Sequence, residues 1–200
     1  MNTKPSRSSS HHLPTHPQPF QFIYWQIIFI YFWVFSLLGH YLELIWAQID
    51  SWINQKPLWQ PLTYTIIPLA PPYGLGVVVI ILLIIPLIKK YKLHVPGAFT
   101  LSVIMTGVVE YICATILINL TGHNSFWDYS GEPFNLQGKI CLENCLLFGL
   151  AATFFIYVIY PSFNKLLRKL SSKQLKYIFW VLLITYSLDW LLAIILGLSH

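Results

Sequence analysis

The sequence predicts an all-α polytopic membrane protein with five transmembrane helices, and three observations carry that prediction. Hydrophobic residues make up 56% of the 200-residue chain and charged residues 10%, where a typical soluble domain has about 25% charged. The mean hydropathy is +0.62. Five apolar runs recur along the chain, each near the ~20 residues that a ~30 Å hydrocarbon core demands. With 8 Trp, 12 Tyr and 13 Phe, an aqueous globule of this size could not cover its own core. A soluble enzyme, a disordered chain and a disulfide-stapled secreted domain are all excluded.

The elements follow in order. Residues 1–20 form a polar tail with Pro5, Pro14, Pro17 and Pro19, a Ser8–Ser10 run, and His11, His12 and His16. Such a stretch buries too little apolar area to offset its ordering entropy, so it reads as disordered. Residues 21–200 read as one transmembrane helical domain, with helices at about 22–47, 71–88, 98–120, 140–163 and 177–198. The first is too long for a signal-peptide core and no small-residue cleavage site follows it. In the second apolar run, Pro68, Pro71 and Pro72 precede Tyr73-Gly74-Leu75-Gly76. Proline is tolerated only in a first helical turn, so the regular part starts near Pro71 and residues 66–70 stay extended.

Charge then orients the bundle. Of the 12 basic residues, ten fall in the tail (Lys4, Arg7) and in the second and fourth connections (Lys89, Lys90, Lys92; Lys165, Arg168, Lys169, Lys173, Lys176). Lys56 and Lys139 fall on the opposite side. Because Lys and Arg are retained in the cytoplasm during insertion, the chain is expected to cross a cell membrane five times from a cytoplasmic N-terminus. Trp46, Trp52, Trp59, Trp127 and Tyr129 lie at or beyond the outer helix ends, as an interfacial aromatic belt requires.

Acidic residues inside the apolar runs are the informative feature, since an ionised carboxylate there costs at least ~2.5 kcal/mol without a partner or water. Glu110 shares an i+3/i+4 stripe with Thr106, Gly107, Cys113 and Ala114. Small residues permit close helix approach, so this stripe should face the bundle. Glu110 either holds helices together as a hydrogen-bonded carboxyl or belongs to an outward-facing polar pocket that binds solute. On the first helix Ser36, Gly39, His40 and Glu43 share one face. His40 and Glu43 could share a proton, whereas one H-x-x-E pair is a poor metal signal. Glu143 stands in the first turn of the fourth helix, where the helix dipole favours it. Asp189, one turn after Thr185, is a candidate for an interhelical hydrogen bond.

The outer connection between the third and fourth helices is dense in turn formers. Trp127-Asp128-Tyr129-Ser130 leads to Phe134-Asn135-Leu136-Gln137-Gly138-Lys139, and Asp, Ser and Asn side chains bond nearby backbone N–H groups. A folded cap over the buried acids is the expectation, with Glu110, Glu43, His40, Tyr111, Trp127, Asp128, Tyr129 and Asn135 as candidate solute contacts. The inner connection carries Phe163, Leu166, Leu167 and Leu170 at helical spacing among basic residues. An amphipathic helix on anionic membrane lipid fits it, as does a docking face (Lys165, Arg168, Lys169, Lys173) for a cytoplasmic partner.

No phosphate-binding G-x-x-x-x-G-K-[ST], no G-x-S-x-G and no H-E-x-x-H occurs in the chain, so no cofactor or metal site is expected. The basic residues lie between apolar segments rather than in one patch, so no nucleic-acid partner is expected either. Cys113, Cys141 and Cys145 are odd in number and cannot all pair within one chain.

These stretches together resemble a known family. Glu110-Tyr111, Phe126-Trp127-Asp128-Tyr129-Ser130, Pro133-Phe134-Asn135-Leu136, Gly138-Lys139-Ile140-Cys141-Leu142 and Phe148-Gly149 are similar to motifs of the type IV, CmpB-like ABC-transporter permeases. Ser36-Leu37-Leu38-Gly39-His40-Tyr41-Leu42-Glu43 and Pro68-Leu69-Ala70-Pro71-Pro72-Tyr73-Gly74-Leu75-Gly76 resemble the first-helix and second-helix motifs. His40 stands where that family usually has Trp, and Lys139 where it usually has Arg. The resemblance implies the membrane subunit of a transporter, with ATP-driven work left to a separate ATP-binding subunit. The residues also leave open a membrane enzyme acting on lipid or cell-wall intermediates through Glu110 and Asp128, or a scaffold or sensor without turnover.

Overall fold

The computed structural model describes residues 21–55, 66–122 and 128–196. The polar tail, with its three histidines, and Trp59 and Trp127 lie outside the described residues. Among those described, five helices are long and apolar enough to cross a membrane. They are α1 (Phe22–Asn54), α2 (Pro71–Tyr91), α3 (Val95–Thr121), α4 (Leu142–Leu167) and α5 (Ser172–Ile195). Between α3 and α4 lies a two-stranded hairpin, β1 (Asn135–Leu136) and β2 (Ile140–Cys141). The contacts divide into two compact units, one within Met1–Ala70 and Asn164–His200, the other Pro71–Phe163.

The first unit is built on α1 and α5. Rings interlock along their contact: Phe179 meets Phe22 at 5.8 Å and Phe29 at 5.4 Å, and Tyr186 meets Phe32 at 5.9 Å, all edge-on. Edge-to-face pairs of this kind contribute beyond their buried area. Ser171 starts α5 with a reciprocal cap, its hydroxyl accepting from Gln174 N–H while Gln174 Oε1 accepts from Ser171 N–H. That satisfies two donors that a helix start leaves open.

The stretch before α2 is irregular, as the prolines predict, and its main chain is accounted for donor by donor. Asp189 Oδ1 accepts from Ile66 N–H (2.9 Å) and Ile67 N–H (3.0 Å). Pro68 has no N–H, Leu69 donates to the Ile67 carbonyl (2.7 Å), and Ala70 donates to the Ser36 carbonyl of α1 (2.9 Å). Non-helical backbone is tolerated at membrane depth only when its polar groups are satisfied by protein or water. The sequence points to a helix–helix bond for Asp189; its observed partner is main chain instead, because residues 66–70 are the groups with no ladder of their own.

The second unit contains α2, α3 and α4 as far as Phe163. α2 and α4 each hold one π-helical stretch, at Ile80–Ile84 and Phe155–Ile159. α3 and α4 run antiparallel and pack through small residues, with Gly107 against Cys145 and Gly149 against Val103. A Cβ on Gly149 would overlap the Val103 side chain and stand 3.1 Å from its N and Cα, so no larger residue fits. Ala114 is buried in the α3 stripe that sequence spacing predicts, and Cys145 and Ala152 are buried on α4, while Ile104, Val108, Ile112 and Ile116 of α3 are exposed.

One expectation is corrected. Phe163, Leu166 and Leu167 do not form a separate surface helix but the last turns of α4, and Leu170 falls in the short turn before Ser172. Leu167 is buried while Leu166 is 54% exposed, so the amphipathic pattern expected here is carried by the end of α4 itself. The helix simply runs on, since nothing between Tyr160 and Leu167 breaks it except Pro161, which α4 accommodates just past its π-helical stretch.

Two stability outcomes follow. Gly149→Ala should lower stability by roughly 1–3 kcal/mol through overpacking, whereas Gly76→Ala, with open space around it, should be neutral or stabilise by up to ~1 kcal/mol; thermal unfolding in nanodiscs separates them. Asp189→Asn keeps the carbonyl acceptor and should retain most stability. Asp189→Leu orphans two N–H groups and should cost about 2–5 kcal/mol, read by the same assay and by proteolysis at residues 66–70.

Candidate functional site

The connection from Asp128 to Cys141 folds back on itself through its own side chains. Asp128 Oδ1 accepts from Ser130 N–H (2.9 Å) and from the Ser130 hydroxyl (2.5 Å). Those bonds hold its carboxyl below the ordinary aspartate range, the hydroxyl contributing more than the backbone. Asn135 works in both directions, donating to the Glu132 carbonyl (2.8 Å) and accepting from Gly138 N–H (3.0 Å). Tyr129 N–H donates to the Gly138 carbonyl (2.9 Å), which ties the start of the loop to the hairpin turn.

The hairpin pairs Asn135 with Cys141 and Leu136 with Ile140. Its turn needs left-handed backbone at Gln137 (φ 56°) and Gly138 (φ 65°). Gly138 is also boxed in, since a Cβ there would meet the Ser130 hydroxyl and stand 3.1 Å from Asp128 Oδ1. Glycine is the residue that meets both demands.

This folded loop delivers Tyr129 to α3. The Tyr129 hydroxyl donates to Glu110 Oε1 (3.1 Å) and accepts from Asn144 Nδ2 of α4. Burial, then the neighbouring Glu110 carboxyl, push the phenol above its ordinary range, so Tyr129 keeps its proton and stays a donor. Glu110 Oε2 is covered by protein and has no hydrogen-bond partner among the described residues. Glu110 stands 15 residues into α3, roughly 22 Å along its axis. A half-buried carboxyl with one oxygen oriented and one unsatisfied can take a proton or a cation, because either would supply the missing partner.

Beside it, the Tyr111 hydroxyl donates to Gln137 Oε1 (2.8 Å), and Lys139 Nζ lies 4.7 Å from the centre of the Tyr111 ring. A cation over an aromatic face is favoured by the ring quadrupole. Glu110, Tyr111, Asp128, Tyr129 and Asn135 therefore belong to one assembly within the second unit. Asp128 and Asn135 are its ties, and Tyr129 is the group that reaches the buried acid. Glu43 and His40 lie on α1 in the first unit, Glu43 half-buried and His40 buried. Lys165, Arg168, Lys169 and Lys173 are exposed around the turn between α4 and α5.

Asn144 is the member that sequence spacing misses. It follows Glu143 in the first turns of α4, and a second polar residue just before the small and apolar run from Cys145 was the available signal. Gln137 is likewise found only when the hairpin places it over Tyr111. A hollow of about 270 Å³ between Glu132, Phe134, Leu142 and Glu143 opens onto the exposed face of α4. Glu110 is not among its lining residues. No group of three or more metal-ligating side chains occurs among the described residues.

No curated protein and no solved structure matches the chain. The family described as Putative ABC-transporter type IV matches residues 30–194, a span that takes in part of α1, all of α2 to α4 and the hairpin, and nearly all of α5. The Glu110–Tyr129 assembly and the Asp189 clasp both fall inside it, and the chain belongs to that family of membrane proteins.

Proposed function

We propose that this chain is the membrane subunit of a transporter, with Glu110 as the group that binds a cation or relays a proton. The single observation that carries the reading is the chain of bonds from Asn144 through Tyr129 to Glu110, ending on an oxygen without a partner. A carboxyl that served only to join helices would be expected to use both oxygens, since each unsatisfied buried acceptor is costly. Tyr129 orients the carboxyl from a loop rather than from a helix, so a small shift of the loop would change the environment of the acid. The distribution of basic residues supports a cytoplasmic N-terminus in the cell membrane, which would set this loop on the outer side.

The family supports a separate ATP-binding subunit as partner, and the exposed Lys165, Arg168, Lys169 and Lys173 form a basic surface suited to it. Such a surface would steer an acidic partner to the cytoplasmic end of the bundle. Membrane lipid surrounds the exposed apolar faces. The fit of Tyr129 to Glu110 favours transport over the enzyme reading, because Asp128 is occupied in tying the loop.

Two outcomes test this. In proteoliposomes loaded with a pH-sensitive dye, Glu110→Gln should lower proton flux by about tenfold or more, as loss of an essential proton carrier does. Tyr129→Phe should lower it less, and an unchanged rate in Glu110→Gln would remove Glu110 from the mechanism. Separately, exchanging Lys165, Arg168, Lys169 and Lys173 for Gln should abolish co-purification with an ATP-binding subunit without affecting membrane insertion. Retention of the subunit would assign docking to another surface.

A further inference from the structure

A second set of unsatisfied polar groups lies on α1, away from Glu110. Gln26 Nε2, Trp33 Nε1 and His40 Nδ1 are each covered by protein and each lacks a hydrogen-bond partner among the described residues. Gln26 is 3% exposed and His40 6%. Their spacing is seven residues each time, and a heptad on a straight helix drifts by only ~20°. The three nitrogens therefore form one line along α1, about 21 Å long at 1.5 Å per residue.

That line is on the side of α1 where Phe22 and Phe29 meet Phe179 of α5. Across from this side α5 contributes Asp189, 4% exposed, whose Oδ2 is also covered and unpartnered. Gln26 and Trp33 can only donate through these nitrogens, and Asp189 Oδ2 accepts when ionised. A line of donors with an acceptor on the facing helix is the lining that water needs, since a buried water takes about three polar partners. A partner helix with lone acceptors is a poorer fit, because helical spacing puts the donors on the side of α1 that carries Phe22 and Phe29 and not on its exposed face.

We infer that this face of α1 lines a water-filled path in a second conformation, and that the present structure is its closed form. In the closed form the rings of Phe22, Phe29 and Phe179 bring the helices together and the polar atoms are sealed. Separating α1 from α5 would let water reach all four groups. The inference is independent of Glu110 and of any transport rate, because its readout is solvent access.

The test is thiol accessibility of the full chain in nanodiscs, with Cys113, Cys141 and Cys145 replaced by Ser. Gln26→Cys, Trp33→Cys and His40→Cys are treated with a charged methanethiosulfonate, beside Leu38→Cys, Leu42→Cys and Ile45→Cys on the opposite, exposed face of α1. A thiol reacts as thiolate, which needs water, so the three seam positions should react about tenfold or more faster than the controls. Equal, slow reaction at all six would overturn the proposal. Should the cysteine variants fail to insert, indole exchange decides: in the unsubstituted protein the Trp33 N–H, assigned by its loss in Trp33→Phe, should exchange into D₂O within minutes to hours. Protection equal to that of the main-chain amides of α5 would overturn it.

Discussion

Backbone polarity in a medium without water is the constraint on which this molecule turns. A helix satisfies its own N–H and C=O groups, but residues 66–70 cannot, because Pro68 and the proline pair at Pro71–Pro72 forbid an earlier helical start. One carboxylate oxygen of Asp189 and one carbonyl of α1 close the deficit. The clasp joins three stretches distant in sequence within the first unit. It also explains an aspartate in the middle of an apolar helix: two main-chain N–H groups offset part of the cost of burying it.

A different constraint sets the second unit. α3 and α4 come together because Gly107 and Gly149 leave room for Cys145 and Val103, and in lipid such close approach is what drives helices to associate. Their antiparallel contact fixes where Glu110 and Asn144 stand. The loop between them then needs to be rigid only over a short distance, which Asp128, Asn135 and Gly138 achieve with local bonds. Tyr129 is positioned by that rigidity and retains its proton through burial. The site is therefore assembled from two helices and a hairpin, with each part held for its own reason.

The two units have a common feature. Among the described residues, buried polar atoms are left unsatisfied at Ser102 and Glu110 in the second unit and along α1 and at Asp189 in the first. Other helix hydroxyls are satisfied locally: Ser36, Thr106, Thr153 and Thr185 each bond the carbonyl of the preceding turn. The unsatisfied groups thus stand out against a background of satisfied ones. In the reading proposed above, Glu110 and the α1 face are the places where water, protons or cations would supply the missing partners.

By itself the sequence determined the five membrane-length helices, the irregular entry at Pro68–Pro72, the small-residue stripes and the presence of buried acids, because these rest on composition and on local periodicity. The turn-forming character of residues 128–138 was legible for the same reason. Tertiary structure alone decided the partners: Asn144 on Tyr129, Gln137 on Tyr111, and main chain rather than another helix on Asp189. It also made the expected amphipathic stretch, as far as Leu167, continuous with α4. Hydropathy and spacing report which face a residue occupies, whereas a hydrogen bond depends on the height and rotation of a second element, and that is set only when side chains from distant segments pack.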